Sequence, residues 1–129
     1  MCALPNGNIV SAGEDRYIKL WNVKTGNMIR SFIGHDDFVR CLELDKDERL
    51  VSASDDLTIR IWDLDTGEEV DLITGFTDYI YGLACKKNGH IIAGCRDGIL
   101  KVFDPLVKRF IIDKQAHEKH IYCVSILPD

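Results

Sequence analysis

Short runs of β-branched and apolar residues follow one another along this chain, and each run stops at a cluster of turn-forming residues. Residues 49–54, Arg-Leu-Val-Ser-Ala-Ser, and 58–63, Thr-Ile-Arg-Ile-Trp-Asp, are of this kind. In the second run Ile59 and Ile61 face one side of a strand, while Thr58, Arg60 and Trp62 face the other. Asn6-Gly7 and Asn88-Gly89 predict tight primed hairpin turns with positive φ at both residues. Asp55-Asp56-Leu57 and Asp65-Thr66-Gly67 predict two further turns. No stretch keeps a helical period long enough to compete. The pattern predicts short antiparallel strands and nothing else.

The pattern also repeats. Shifting the sequence by 41 residues superposes Trp21, Trp62 and Phe103 without an insertion. The same shift aligns Asn22, Asp63 and Asp104; Asp15, Asp56 and Asp97; Val10, Val51 and Ile92; and Gly34, Gly75 and Ala116. A fixed period of this length marks units of one supersecondary design that bury their apolar faces against each other. The units run over about 1–33, 34–74 and 75–115, and 116–129 then supplies a first strand, Ile121 to Leu127, in the phase of the earlier ones.

Four strands per unit, Gly34-His35 at its opening and Trp62-Asp63 closing the third strand, resemble the WD-repeat family of β-propellers. The resemblance covers the whole chain. It implies an all-β fold of propeller blades, each a sheet of four antiparallel strands, with three blades' worth present and the ring incomplete. Three units cannot close a ring, since propellers typically have four to eight blades. The expectation is either a segment of a longer propeller, completed in cis, or chains that complete one another by exchanging strands.

The resemblance also implies a buried polar set in each blade. Carried over by position, this is His35, Ser52, Asp56 and Trp62 in the second unit, and Ser11, Asp15 and Trp21 in the first. The third unit departs from it: Phe76, Ala93 and Phe103 replace three members and leave Asp97. Losing the set together costs less than half-satisfying it, though a softer third blade is expected. Ser52, His35 and Asp56 are also the residue types of a nucleophilic triad. A catalytic serine needs exposure and a strained elbow, and no Gly-x-Ser-x-Gly is present. The recurrence as Ser11 and Asp15 favours the structural reading, so no catalytic residue is assigned. His117 and His120 lack nearby ligands to complete a metal site, and no glycine-rich phosphate loop exists. No metal or cofactor is expected.

Composition narrows the function classes. The net charge of −5 argues against a nucleic-acid partner. Residues 1–44, 45–85 and 86–129 carry 0, −8 and +3, an acidic middle beside a mildly basic third. Five cysteines, odd in number and widely spaced, fit reduced thiols in the cytoplasm or nucleus. No apolar run reaches membrane-spanning length, so no membrane partner is expected.

In the family, partners usually sit on the face formed by the loop leading into the first strand and the turn between the second and third. Here the lead-in column reads Phe38, Tyr79 and His120, and two residues on it reads Arg40, Tyr81 and Tyr122. Aromatics and Arg at such junctions are the types enriched in binding hot spots. The bland alternative is that Phe38 and Tyr79 pin their own loops against the blade. Arg16 and Tyr17, with Asp36, Asp37 and Asp78, are expected to rim the patch. The expected function is a non-enzymatic scaffold or adaptor for a protein or peptide partner whose identity these residues leave open. The alternative is a propeller associated with, or forming part of, an enzyme.

Overall fold

The computed structural model describes residues 2–127. Twelve strands follow in chain order: β1 Cys2–Ala3, β2 Ile9–Ala12, β3 Ile18–Trp21, β4 Met28–Phe32, β5 Val39–Leu44, β6 Leu50–Ser54, β7 Ile59–Trp62, β8 Glu69–Ile73, β9 Ile80–Cys85, β10 Ile91–Cys95, β11 Ile99–Asp104 and β12 Arg109–Gln115. They form three four-stranded antiparallel sheets, β1 to β4, β5 to β8 and β9 to β12, each pairing in sequence order. A register shift falls at Leu20/Trp21, Ile61/Trp62 and Val102/Phe103, the same repeat position in every sheet.

Apolar faces meet between sheets. Val10, Ile18, Leu20 and Phe32 of the first pack against Val39, Leu42, Leu50 and Trp62 of the second. Val51, Ile59, Ile61 and Ile73 of the second pack against Ile80, Leu83, Ile91 and Phe103 of the third. The last strand of each sheet is the exposed one, with Met28, Ile29, Val70, Leu72, Ile111 and Ile112 half in solvent. The sheets stand side by side as blades, and the ring they begin is not closed.

Two expectations need correcting. Asn6 and Asn88 do not take positive φ; only Gly7 (89°) and Gly89 (97°) do. Leu4 N donates to Asn8 O and Gly7 N to Leu4 O, so the loop has three residues with a left-handed third, not a two-residue primed turn. In the second sheet that third position is Glu48, at φ 60°. The segment Ile121 to Leu127 is not a strand. It has the right phase, but a strand exists only through cross-strand hydrogen bonds, and among the described residues none pairs with it. The first sheet opens on a two-residue strand, in which Cys2 pairs with Val10 and Ala3 with Ile9.

Candidate functional site: a buried polar set and an exposed stacked row

In the second sheet the polar set is built by four segments. Gly34-His35 arrives on the link from β4, Ser52 lies on β6, Asp56 on the β6–β7 turn and Trp62 ends β7. Gly34 fits because a Cβ there would come within 2.8 Å of the Trp62 ring. Trp62 Nε1 donates to Ser52 Oγ at 2.8 Å, and Ser52 Oγ lies 2.7 Å from His35 Nε2. His35 Nδ1 lies 2.8 Å from Asp56 Oδ2. Nδ1 donates to the carboxylate, which leaves Nε2 facing the serine hydroxyl.

The Asp56 carboxylate further accepts the Thr58 hydroxyl at 2.6 Å and the Asp36 and Thr58 amides, both at 3.0 Å. Burial opposes its charge, yet the hydrogen bonds from His35, Thr58 and Asp36 outweigh burial and hold it well below its ordinary value of 3.8. The distances also suit a nucleophilic triad. However, Ser52 has no exposed surface and its oxygen already meets an indole and an imidazole, so no acyl group can approach it.

The first sheet keeps one leg of the set, with Trp21 Nε1 donating to Ser11 Oγ at 2.7 Å. Asp15 accepts the Tyr17 amide at 3.2 Å and lies 3.7 Å from Lys19 Nζ. In the third sheet Asp97 is not left alone. It accepts the Thr77 hydroxyl at 2.6 Å and the Ile99 amide at 3.1 Å. An aromatic cluster that the sequence reading missed fills the remaining space. Phe110 packs edge-on against Phe76 (5.4 Å) and Phe103 (5.5 Å), and the buried Lys101 lies 4.8 Å over the Phe110 ring. Lys101 Nζ also donates to Gly75 O at 3.0 Å and pairs with Asp113 at 3.1 Å. The available signal was the column Lys19, Arg60, Lys101, which keeps a cation in every unit.

The partner-face columns converge for the most part. Arg40 Cζ sits 5.3 Å over the Tyr81 ring, and Tyr122 stacks on Tyr81 with centroids 5.7 Å apart and planes 7° from parallel. His120 Nδ1 meets the Tyr122 hydroxyl at 2.9 Å, and Phe38 lies beside Arg40 at 5.8 Å. Arg40, Tyr81 and Tyr122 come from one repeat position and make a continuous row in which Tyr122 is 70% exposed. Tyr79 is drawn aside, lying under Arg96 at 4.4 Å. Arg16 and Tyr17 sit on the β2–β3 turn, and among the described residues no ring stack or cation contact joins them to the row.

Ion pairs brace this face. Arg40 binds the buried Asp55 and Arg96 binds Asp78 at 3.1 Å. The column Glu14, Asp55, Arg96 reverses sign, and its partner changes position with it, from Arg40 to Asp78, the counterpart of Asp37. Beside the row, Asp78, Arg96, Glu118, Lys119, His120 and Tyr122 line an open cleft of about 670 Å³.

Three of the cysteines are unsuited to nucleophilic chemistry. Burial pushes Cys41 up to about 11 and Cys85 and Cys95 up to about 12, far from the thiolate range of a nucleophile. Among the described residues no group of three or more His, Cys, Asp or Glu side chains gathers as metal ligands, and no helix is long and apolar enough to cross a membrane.

Comparison with known proteins agrees with this architecture. The family model described as WD domain, G-beta repeat, matches residues 1–22, 26–63 and 67–104. An uncharacterized WD repeat-containing protein of Schizosaccharomyces pombe is 44% identical over 43 residues, covering 33% of this chain and 12% of that protein. Nuclear distribution protein PAC1 of Coprinopsis cinerea is 47% identical over 34 residues, 26% of this chain and 8% of that protein. The aligned regions thus span about a tenth of these relatives' length. The crystal structure of the computationally designed Ika4 protein superposes with a TM-score of 0.85 and 30% identity, over 98% of this chain and 78% of that one. Its repeats, which the family model matches over most of its length, make this chain a member of the WD-repeat family.

Proposed function

We propose that this protein is a non-enzymatic interaction scaffold that binds a protein or peptide partner through the row Arg40, Tyr81 and Tyr122, with Phe38 and His120 at its border. The observation that carries this reading is the row itself. Three large planar side chains from successive repeats stack in register at the surface rather than in the core. A pre-stacked row presents rigid, amphipathic area at little cost in side-chain entropy. Because Asp55 and Asp78 already hold Arg40 and Arg96, both guanidiniums are fixed as flat platforms.

Two features support a scaffold over an enzyme. The one triad-like set is sealed in the interior, and repeats of this family are platforms whose binding residues vary on a constant core. A cytoplasmic or nuclear setting belongs to the same proposal, supported by five cysteines that stand free. Affinity capture on the immobilised chain with mass spectrometry tests it, alongside a variant carrying Arg40→Ala, Tyr81→Ala and Tyr122→Ala. The proposal requires a partner retained by the first and lost from the second. Equal capture by both would place the binding surface elsewhere.

A further inference from the structure

Two turns of the molecule hold a charged residue where their repeat counterparts hold glycine. Glu48 stands in the column of Gly7 and Gly89, and Lys108 in the column of Gly26 and Gly67. Glu48 at φ 60° and Lys108 at φ 54° keep a left-handed backbone that side chains rarely adopt. A side chain retained against that strain points to a use for its end group. Both turns lie at the end of the sheets opposite Arg40 and Tyr81, since Glu48 follows β5 and Lys108 follows β11. Among the described residues neither charge joins an ion pair. Their signs are opposite.

Glu48 stands on the rim of an open cleft of about 490 Å³ between the first and second sheets. Leu4, Leu20 and Ile29 of the first sheet form an apolar wall, and Glu48, Asp63 and Asp65 of the second form an acidic one. The two cations that reach the cleft are engaged, Arg30 with Leu64 O at 2.8 Å and Arg49 with Asp45 at 2.8 Å. Lys108 belongs to the β11–β12 turn, where Leu106 and Val107 stand in the columns of Asp65 and Thr66. Leu106 is 81% exposed, and Arg109 follows Lys108 directly. The base of the turn is fixed, with Lys108 N donating to Asp104 O at 2.8 Å and Leu106 N to Asp104 Oδ1 at 2.9 Å. The third sheet thus projects an apolar tip beside two cations, on the same face that opens an apolar wall beside three carboxylates. A cleft in the same repeat positions recurs between the second and third sheets, at about 330 Å³. There Asp45 and Lys46 replace Leu4 and Pro5, so that wall is charged and does not suit the tip.

We infer that this face joins two copies of the chain, the Leu106–Val107 tip of each entering the cleft between the first and second sheets of the other, with Lys108 meeting Glu48 and Asp65. Tip and cleft share one face, so a single two-fold axis between them satisfies both contacts at once. Burial of the tip supplies the attraction, and the opposed charges set the register. Arg40 and Tyr81 stay open at the other end of the sheets, so this inference is independent of the partner-binding row.

Light scattering on a size-exclusion column, over a concentration series at low and high salt, tests it. The expected result is a dimer that salt weakens. Leu106→Asp, which places the second sheet's residue at an exposed turn, should weaken the dimer about tenfold or more. Glu48→Gly and Lys108→Gly relieve the strained backbone, so both keep the fold, and both should still weaken association. Glu48→Lys and Lys108→Glu should each weaken it about tenfold or more, and the double exchange should recover most of that loss because it re-forms the pair with its signs reversed. A monomer at every concentration would give the cleft to a different occupant and overturn the inference. Species of no fixed mass, a dimer that Leu106→Asp and both charge reversals leave unchanged, or a double exchange no tighter than either single one would overturn it equally.

Discussion

The second and third sheets share a fold, a register and a period, yet they fill the same interior space by opposite chemistry. The second uses a chain of hydrogen bonds, Trp62 to Ser52 to His35 to Asp56, with every member satisfied. The third replaces it with three phenylalanines packed edge to face, two of them against a buried lysine. Among the described residues no buried side-chain nitrogen or oxygen lacks a partner, so each solution is complete. Turns differ as well. The third sheet places Gly89 and Gly98 at two left-handed turn positions where the second tolerates Glu48 and Leu57, while at the turn before its last strand it tolerates Lys108 where the second has Gly67. Blade architecture therefore constrains which groups must be satisfied together and leaves open how.

Truncating the aromatic that ends the third strand should separate the two interiors most. Trp62 is 1% exposed and Phe103 8%. Trp62→Ala should cost about 3–5 kcal/mol and Phe103→Ala about 1 kcal/mol less, since only the first also strips a bond from Ser52. Denaturant midpoints of the two variants measure this, and equal losses would erase the distinction drawn between the sheets.

How much of this was written in the residues follows from the same contrast. The 41-residue period aligned Ser52, Asp56 and Trp62 with Ser11, Asp15 and Trp21, and the resemblance to WD repeats added His35 and implied that they form one polar set. Phe110 and Lys101 could not be paired that way. Phe110 shares its column with Glu69 and Met28, and its meaning depends on a lysine on the neighbouring strand, two residues from its register partner Phe103. Similarly, the alternation of Ile121 to Leu127 announced a strand, but pairing is a property of neighbours and not of the segment. The Asn-Gly pairs marked the hairpins correctly and mis-stated their geometry, because loop length, not the dipeptide alone, decides which residue turns left-handed.

A second comparison concerns the buried cation. Lys101→Ala removes a bond to Gly75, a pair with Asp113 and a contact with the Phe110 face, and should cost about 1–2 kcal/mol. Lys19→Ala in the first sheet removes only an exposed pair with Asp15 and should cost less than about 0.5 kcal/mol. Thermal unfolding of both variants would show whether the lysine supports the third sheet.

Acid should attack the second sheet selectively. The folded-state pKa of Asp56 is depressed, so its contribution is present above the ordinary value of 3.8 and fades as pH falls through the lower folded value. The stability gap between the unaltered chain and Asp56→Asn should narrow as pH is lowered from about 5 to about 2. A gap that stays constant over that range would show that the carboxylate charge is not used.

The smallest effect concerns the turns. Glu48 is exposed and held at φ 60° where its counterparts are glycine, so Glu48→Gly should stabilise by about 0.5–1 kcal/mol. Gly89→Glu should destabilise by a similar amount, and a chemical denaturation series on both resolves the sign.

Interior chemistry and surface function are separable in this account, and one paired measurement addresses that directly. Ser52→Ala and Tyr122→Ala are compared for thermal midpoint and for affinity toward a captured partner. Ser52→Ala should lower the midpoint and leave the affinity of the folded protein intact, whereas Tyr122→Ala should leave the midpoint within about a degree or two and weaken binding about tenfold or more. If instead Tyr122→Ala unfolds the protein while binding survives, the stacked row is core and the partner surface lies elsewhere.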